Sequence, residues 1–430
     1  MNYLNFKKFE QVLFFLVLIF PCVLVLRSFT INFVLILISG ISIYYFLKKK
    51  NYLFFKDFLL IYSLFFFLIV FINSIFKTQD FETLIKSFVN LKYVFLTFAV
   101  FFTLSKISDK SFKFFIYLNS ILITFISFDI LYQFNFNKNI FGFLPGMCTK
   151  NENCVRFSGV FGTELIGGTY LAQIGLLIFL LLKNNIYKSK KFYESFSNIL
   201  IMFLFIIIFL TGERNAFLIF ITTIFLSYLL NKKILKLILP ALMFLLLFLV
   251  VFQNSYSVKI RYLNFMNHIT ALPNETSFKI KIKNTPWFYH YQAAFELFLE
   301  KPVLGHGYKS FRVKCHETKI DKKLVENKID YKGYRACSSH PHNYMMEFLS
   351  ENGILGFLLY FGLIILIILR ILKIVRVSED QNKFIALSLG SLLLAILFPL
   401  KPSGSFFSTF NASMFFYLLG FFIFYTRQER

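Results

Sequence analysis

Long apolar stretches dominate the pattern of hydrophobic and polar positions, and short segments rich in lysine, asparagine and serine separate them. A stretch of about 17 to 25 mostly apolar residues can cross the hydrocarbon core of a bilayer as a helix. The pattern therefore predicts an all-α polytopic membrane protein with about twelve transmembrane helices. The predicted spans are residues 11–26, 31–47, 57–76, 88–104, 114–133, 164–182, 197–211, 215–230, 234–252, 343–369, 384–400 and 406–426.

The boundary between the seventh and eighth spans is the weakest part of this pattern. Both spans are short, and the segment Thr211-Gly-Glu-Arg-Asn215 lies between them. A single re-entrant pair of helices is the alternative at this position.

Basic residues fall on alternate connecting segments, which is typical of lysine and arginine retained on the cytoplasmic side. These segments lie near residues 7–8, 48–56, 106–113, 183–191, 232–236, 370–383 and 427–430. Both termini are therefore predicted to be cytoplasmic. Residues 1–252 are predicted to form an N-terminal bundle of about nine spans, 253–342 a large periplasmic loop with an interfacial helix, and 343–430 three C-terminal spans.

The first span has the basic flank of a signal peptide, but no small-residue cleavage site follows Leu26, so a retained span is expected. Composition agrees with a membrane protein, because 57% of the residues are hydrophobic. The net charge of +24 would suggest nucleic-acid binding in a soluble protein, but here it follows largely from topology. From Lys259 to Arg335 fifteen basic residues face seven acidic ones, which suits an anionic headgroup or a diphosphate.

Four of the five cysteines fall in predicted outward segments, where an oxidising periplasm permits disulfides. Proximity along the chain favours Cys148 with Cys154 and Cys315 with Cys337, although three connectivities are possible. Zinc is a rival interpretation, because thiols and imidazoles gather in the second region. The residues concerned are Cys315, His316, Cys337, His340 and His342.

His342 and Asn343 are followed at fixed spacing by Gly353 and Gly356, so the segment has the pattern His-Asn-x9-Gly-x2-Gly. If a helix begins near His342, eleven steps of about 100° return Gly353 to within about 20° of the same face. Small residues on one face let a neighbouring helix approach closely. The sequence therefore predicts an imidazole at the outer membrane surface above a smooth helix-packing seam. A surface histidine above an ordinary packing motif is the alternative.

This spacing resembles the signature of the O-antigen ligase family, membrane enzymes that transfer a glycan from a polyprenyl diphosphate to lipid A-core. The pattern Pro302-x2-Gly305-x-Gly307, followed by Phe311, also resembles a family motif. The resemblance implies a GT-C-like helical fold, with the catalytic cavity between the spans and the outward loop.

Two arginines are candidates for holding the donor diphosphate. The segment that contains Arg214 resembles the family turn Thr-x-Ser-Arg-Gly-Ala, although Glu213 and Asn215 depart from it, and Glu213 is able to pair with Arg214 instead. Arg261 resembles, loosely, a second basic position near the start of the large loop. Many members of that family place an arginine just before the loop tryptophan, where this chain has Lys279, Lys281 and Lys283 ahead of Trp287.

The reaction that the resemblance implies is attack of an acceptor hydroxyl on the anomeric carbon of a sugar. Arg214 and Arg261 would stabilise the leaving diphosphate, and His342 would accept the hydroxyl proton. Supporting residues are expected to be His340, Asn343, Lys283, Gly353 and Gly356. His290 and His306 are interpreted as interface and loop residues. No metal ion or cofactor is expected.

The expected partners are an undecaprenyl-diphosphate-linked glycan, lipid A-core and membrane lipids, at a multi-pass site on the periplasmic face of the bacterial inner membrane. Nucleic acid is not an expected partner. O-antigen polymerases and protein O-oligosaccharyltransferases carry the same signature region, so they are the first alternative. A non-enzymatic polysaccharide or lipid transporter is the second, although the chain lacks obvious internal repeats.

Overall fold

The computed structural model describes residues 3–49, 57–77, 80–148, 154–185, 191–255, 257–259, 261–262, 286–326, 336–376 and 382–427. The described chain is mostly helical, and its strands form a two-stranded antiparallel hairpin. The elements before residue 231 are α1 (Tyr3–Val23), α2 (Ser28–Lys49), α3 (Phe58–Lys77), α4 (Phe81–Val89), α5 (Lys92–Leu104), α6 (Asp109–Phe136), β1 (Met147–Cys148), β2 (Cys154–Arg156), α7 (Gly167–Tyr170), α8 (Leu176–Asn185), α9 (Lys191–Leu210) and α10 (Arg214–Leu230). Those after it are α11 (Ile238–Asn254), α12 (Pro286–Glu300), α13 (Phe311–Lys314), α14 (Lys319–Glu326), α15 (Tyr344–Arg376), α16 (Lys383–Ile396) and α17 (Thr409–Arg427).

Six stretches of the described chain are long and apolar enough to cross a membrane. They are Ser28–Leu47, Phe58–Lys77, Phe81–Leu104, Asp109–Phe136, Tyr344–Arg376 and Thr409–Arg427. Shorter apolar helices cover Gly167–Lys183, Ile199–Leu210, Arg214–Leu230 and Lys383–Ile396. The multi-pass helical character is therefore confirmed. The number of crossings, the orientation and the division at residues 252 and 342 stay predictions.

Aromatic side chains fill much of the interior where α3 and α15 meet the segment that precedes α17. The rings of Phe66 and Phe348 lie 5.4 Å apart, and Phe406 packs against both. Edge-to-face and tilted ring pairs at such distances add to the free energy of apolar burial. Many other phenylalanines lie on the outer surface of the helices, for example Phe29 and Phe81. The abundant phenylalanine therefore serves both packing and the apolar exterior.

An ion pair joins α15 to the segment just before α3. Both guanidinium nitrogens at the end of Arg370 donate to the carboxylate of Asp57, at 2.9 and 2.6 Å. The Asp57 side chain is almost fully buried, and its Oδ1 also accepts from the backbone N–H of Leu59. A buried pair with this fork geometry ties the two elements together at one end of the bundle.

The helix α15 is interrupted at Gly353, whose φ of 62° and ψ of −156° are far from helical values. The backbone N–H groups of Ile354 and Leu355 donate out of the helix, to the carbonyl oxygens of Pro302 at 2.8 Å and Val303 at 3.4 Å. A Cβ atom at Gly353 would lie 2.4 Å from the Val303 oxygen. Glycine is therefore required here both by the backbone angles and by the approach of another chain segment.

The glycines of the second motif, Gly305 and Gly307, lie against the same stretch of α15. Gly307 donates its N–H to the carbonyl oxygen of Glu351 at 2.7 Å, and His306 donates to that of Ser350. A Cβ atom at Gly305 would lie 2.5 Å from the backbone of Glu351. The segment Pro302–Gly307 is thus hydrogen-bonded backbone to backbone with the interrupted turn of the helix.

This arrangement corrects the prediction of a smooth packing seam below His342. The helix begins at Tyr344, after His342, and the break at Gly353 ends the regular 100° rotation on which the same-face argument depended. The segment that approaches Gly353 is an irregular loop and not a neighbouring helix. At Gly356 a Cβ atom would meet Asn352 of the same helix, which follows from the local distortion.

Candidate functional site

The backbone of His342 forms a sharp corner in front of α15. Its φ is 57°, an uncommon left-handed conformation for a residue other than glycine. Asn343 caps the helix, because its Oδ1 accepts from the N–H of Met346 at 3.0 Å. Its Nδ2 donates to the carbonyl oxygens of Pro399 and Lys401, at 2.6 and 3.1 Å. Asn343 therefore fixes the corner between His342 and the start of α15.

The segment between α16 and α17 holds the other side of this corner. The N–H of Ser403 donates to the carbonyl oxygen of His342 at 2.8 Å. Buried Glu347, one turn into α15, accepts from the hydroxyl of Ser405 and, at 2.7 Å, from the N–H of Phe406. Carboxylate and amide groups therefore attach this segment to the start of α15 at several points, which limits the movement of His342.

Three imidazoles gather at the corner. The ring centroid of His342 lies 4.2 Å from that of His340 and 5.2 Å from that of His290 on α12. His290 is buried, and its Nδ1 lies 3.0 Å from the carbonyl oxygen of Ala336, so that nitrogen carries the proton in a neutral ring. His340 Nδ1 lies 2.9 Å from the hydroxyl of Ser339. The described residues provide no hydrogen-bond partner for the ring of His342.

Burial keeps these imidazoles neutral. Burial, with the neighbouring His340 and His290, lowers the pKa of His342 to about 3. Burial and His290 lower the pKa of His340 to about 4, and burial also lowers the pKa of His290. Desolvation disfavours the cation, and three adjacent rings disfavour one another's charge. His342 is therefore an uncharged imidazole at neutral pH, with nitrogen available to accept a proton.

A second group of charges surrounds the turn between α9 and α10. Gly212 has a φ of 68°, and its carbonyl oxygen accepts from Arg261 Nε at 3.0 Å. Arg214 begins α10, and its guanidinium carbon lies 5.8 Å from the ring centroid of Trp287. Arg261 and Arg214 were both predicted from the sequence, and the turn brings them together. Burial, with the charges of Arg214 and Arg156, lowers the pKa of Arg261 to about 10, so it stays charged at neutral pH.

Glu213, in the same turn, faces the start of α7. Its carboxylate accepts from the N–H of Gly168 at 2.8 Å and from the N–H and hydroxyl of Thr169, at 3.1 and 2.8 Å. Burial raises the pKa of Glu213, and the nearby Arg156 opposes that rise. Glu213, which departs from the family turn, therefore has a structural role here, because its carboxylate accepts hydrogen bonds from N–H groups at the start of α7.

Arg156 is the member of this group that the sequence did not single out. It ends β2, and its Nη2 donates to the carbonyl oxygen of Leu165 at 3.2 Å. The adjacent N–H of Phe157 donates to the carbonyl oxygen of Thr211 at 3.1 Å, which fixes β2 beside the turn. We name Arg156, Arg214 and Arg261 the arginine cluster.

One helix connects the arginine cluster with the histidines. Trp287 and His290 are three residues apart on α12, which is less than one turn and about 4.5 Å along the axis. Trp287 lies against Arg214, and His290 lies against His342. His290, interpreted from sequence as an interface residue, therefore belongs to the candidate site, and its three-residue spacing from Trp287 is the signal that was available.

Both disulfides favoured on proximity are present, Cys148–Cys154 and Cys315–Cys337. Among the described residues, the group able to hold a metal ion is Cys315, His316 and Cys337, without His340 or His342. Its two sulfur atoms are joined to each other here, so neither is a free thiolate. Of the predicted site residues, Lys283 lies outside the described part of the chain, as do Lys279 and Lys281.

Comparison with known proteins adds one finding. Residues 199–361 match the family model described as O-Antigen ligase, and this stretch contains Arg214, Arg261, Trp287 and His342. The curated proteins contain no match to the chain.

Proposed function

We propose that the chain transfers a glycan from undecaprenyl diphosphate to a sugar hydroxyl of lipid A-core at the periplasmic face of the inner membrane, because residues 199–361 match the family model described as O-Antigen ligase. This match and the long apolar helices support an O-antigen ligase-type membrane glycosyltransferase. The observation that carries the proposal is the placement of Trp287 on Arg214 and of His290 on His342 by one helix. A cationic group and a neutral base therefore contact neighbouring positions of one helix.

In the proposed reaction the acceptor oxygen forms a bond to the anomeric carbon, and the bond from that carbon to the phosphate oxygen breaks. Undecaprenyl diphosphate leaves with the electron pair. The arginine cluster would bind the diphosphate and stabilise the charge that grows on it, because guanidinium groups match phosphate oxygens geometrically. The proposal requires no metal ion, since fixed cations supply the compensating charge.

The hydroxyl proton would pass to a ring nitrogen of His342. With a pKa of about 3, the imidazole of His342 is a weak base. Bound diphosphate brings negative charge close to the histidines, which raises the pKa of His342 and makes it a better proton acceptor. Donor binding would then activate the base only when there is a glycan to transfer.

A ligase-deficient, lipopolysaccharide-producing host tests this function. The host expresses the wild type, His342→Ala or Arg214→Ala at matched membrane levels, with exposed His316→Ala as the control. We expect wild type and control to restore long glycan on lipid A-core, and the two site variants to fail.

Other products would select the alternative functions. Lengthening of polyprenyl-linked glycan without attachment to lipid A-core would identify a polymerase. Glycan attached to protein would identify an O-oligosaccharyltransferase. Movement of unaltered lipid-linked glycan across the membrane would support the transporter.

A further inference from the structure

The hairpin formed by β1 and β2 delivers Arg156 to the arginine cluster. Its strands pair antiparallel, and the disulfide Cys148–Cys154 closes it two residues before Arg156. The carbonyl oxygen of Val155 lies so close to Gly212 that a Cβ atom there would be 2.3 Å away. The hairpin is thus seated directly on the turn that carries Arg214.

Gly212 is the point where the cluster converges. Val155 approaches it from the hairpin, and Arg261 hydrogen-bonds its carbonyl oxygen at 3.0 Å. Arg214 follows two residues later in the chain. Three arginines from three separate segments therefore meet near one turn, close enough for their charges to disfavour one another.

Arg156 has unused hydrogen-bonding capacity. Its Nη2 donates to Leu165, but its Nε is buried and has no hydrogen-bond partner among the residues that the structure describes. A buried charged donor without a partner is unfavourable unless a ligand supplies the acceptor. The Nε of Arg156 therefore favours an anion as its hydrogen-bond acceptor.

The balance of charges around the arginine cluster also favours an anionic ligand. Each of Arg156 and Arg214 disfavours the charge on Arg261, and the carboxylate of Glu213, which also lies within range, is already hydrogen-bonded to the start of α7. Three positive charges against one negative charge leave an excess of two. A ligand with two or more negative charges, such as a diphosphate, matches that excess.

We propose that Arg156 is a third ligand of the donor diphosphate, and that the disulfide Cys148–Cys154 sets donor affinity by holding Arg156 in place. This inference rests on the proposed function and deepens it. The disulfide acts as a positioning element, so the affinity for the donor depends on oxidation of two periplasmic thiols.

The single tryptophan of the chain provides a direct assay, because Trp287 lies against Arg214. The full chain in detergent micelles is titrated with farnesyl diphosphate and with inorganic pyrophosphate, while the emission of Trp287 is followed. Farnesol is the uncharged control. We expect both diphosphates to change the emission and farnesol to leave it unchanged, and no response to either diphosphate would refute an anion site.

Arg156→Gln should raise the dissociation constant for farnesyl diphosphate by about 10- to 100-fold, the effect of losing a charge-assisted contact. Arg156→Lys keeps the positive charge but lacks the planar guanidinium group, so its dissociation constant should lie between those of the wild type and Arg156→Gln. Arg214→Gln serves as the reference for the cluster. Arg376→Gln, at the far end of α15, is the matched control and should bind like the wild type.

The disulfide is tested by replacing Cys148 and Cys154 together with serine, and the free Cys22 is replaced in the control. We expect the double variant to bind more weakly than wild type, though less so than Arg156→Gln, because Phe157 still bonds to Thr211. Wild-type affinity in the double variant would overturn the role of the disulfide.

The outcomes separate this inference from the proposed function. If Arg156→Gln and Arg156→Lys stay within about threefold of the wild type while Arg214→Gln binds weakly, Arg156 is not a ligand and the donor site stands. If Arg214→Gln also binds like the wild type, the donor site itself is refuted. Elution of each variant as a single monodisperse peak shows that it is folded.

Discussion

Replacement of Gly353 by alanine tests the structural basis of the candidate site. The new Cβ atom would lie 2.4 Å from the oxygen and 2.5 Å from the carbon of Val303, and 2.7 Å from the oxygen of Pro302. All three are backbone atoms, so no side chain can rotate away. The backbone angles of Gly353 also belong to a region that alanine rarely adopts.

The magnitude follows from two contributions. Forcing alanine into this conformation costs about 1 to 3 kcal/mol. Moving Pro302 and Val303 away breaks their hydrogen bonds with Ile354 and Leu355, at about 1 kcal/mol each. Gly353→Ala should therefore destabilise the folded protein by about 3 to 5 kcal/mol, and it should displace the loop that packs on α15 below His342.

The assay is the temperature at which half of the detergent-solubilised protein leaves the monodisperse peak, together with glycan transfer at a temperature where the variant is folded. Gly40→Ala is the matched control, because Gly40 lies within α2 and a Cβ atom there meets nothing within 4 Å. We expect the control to unfold at the wild-type temperature or slightly above it. If Gly353→Ala unfolds at the same temperature as Gly40→Ala, the interpretation of the interrupted helix is wrong.

Three further predictions concern charge, pH and the second disulfide. Asp57→Asn should lower the free energy of unfolding by about 3 to 5 kcal/mol, because it leaves Arg370 buried without its anionic partner. Replacement of both Asp57 and Arg370 by leucine should restore most of that loss. Thermal unfolding midpoints measure both effects, and equal midpoints for Asp57→Asn and the wild type would contradict the prediction. The pKa of His342 is lowered to about 3, so its imidazole stays neutral as the pH falls from 7.5 to 5.5. The contribution of His342 to kcat/KM for the donor should therefore not change over this range. A decline of kcat/KM centred near pH 6.5, the ordinary pKa of histidine, would contradict the burial argument. Replacing Cys315 and Cys337 together with serine should lower stability by about 3 kcal/mol in unfolding experiments, because the closed loop between them restricts the unfolded chain; an unchanged midpoint would mean that the other contacts suffice.

Much of the helical framework could be predicted because long apolar stretches leave few alternatives to a helix in a membrane. His342 could be selected because its neighbours match a family pattern at fixed spacing, and Arg214 because its turn resembles a family turn despite Glu213 and Asn215. The pairing of Cys148 with Cys154 followed from proximity along the chain, since residues six apart form a closed hairpin easily. These features are all local in sequence.

The missed features depend on distant contacts. The break at Gly353 exists because Pro302 and Val303 accept the hydrogen bonds of the next turn, and a constant rotation per residue cannot show this. Arg156 joins the arginine cluster through backbone contacts with a turn more than fifty residues later. Its position two residues after Cys154 was the available signal, because a closed hairpin holds its flanking side chains in fixed positions.

The most direct test of the proposed ligation reaction is transfer by purified protein supplied with an undecaprenyl-diphosphate-linked glycan and lipid A-core. The initial rate is compared among the wild type, His342→Ala and the control His316→Ala. We predict that His342→Ala loses about 100- to 10,000-fold in rate while the control keeps the wild-type rate. Transfer by His342→Ala at the wild-type rate, or no product on lipid A-core with the wild type, would contradict the account.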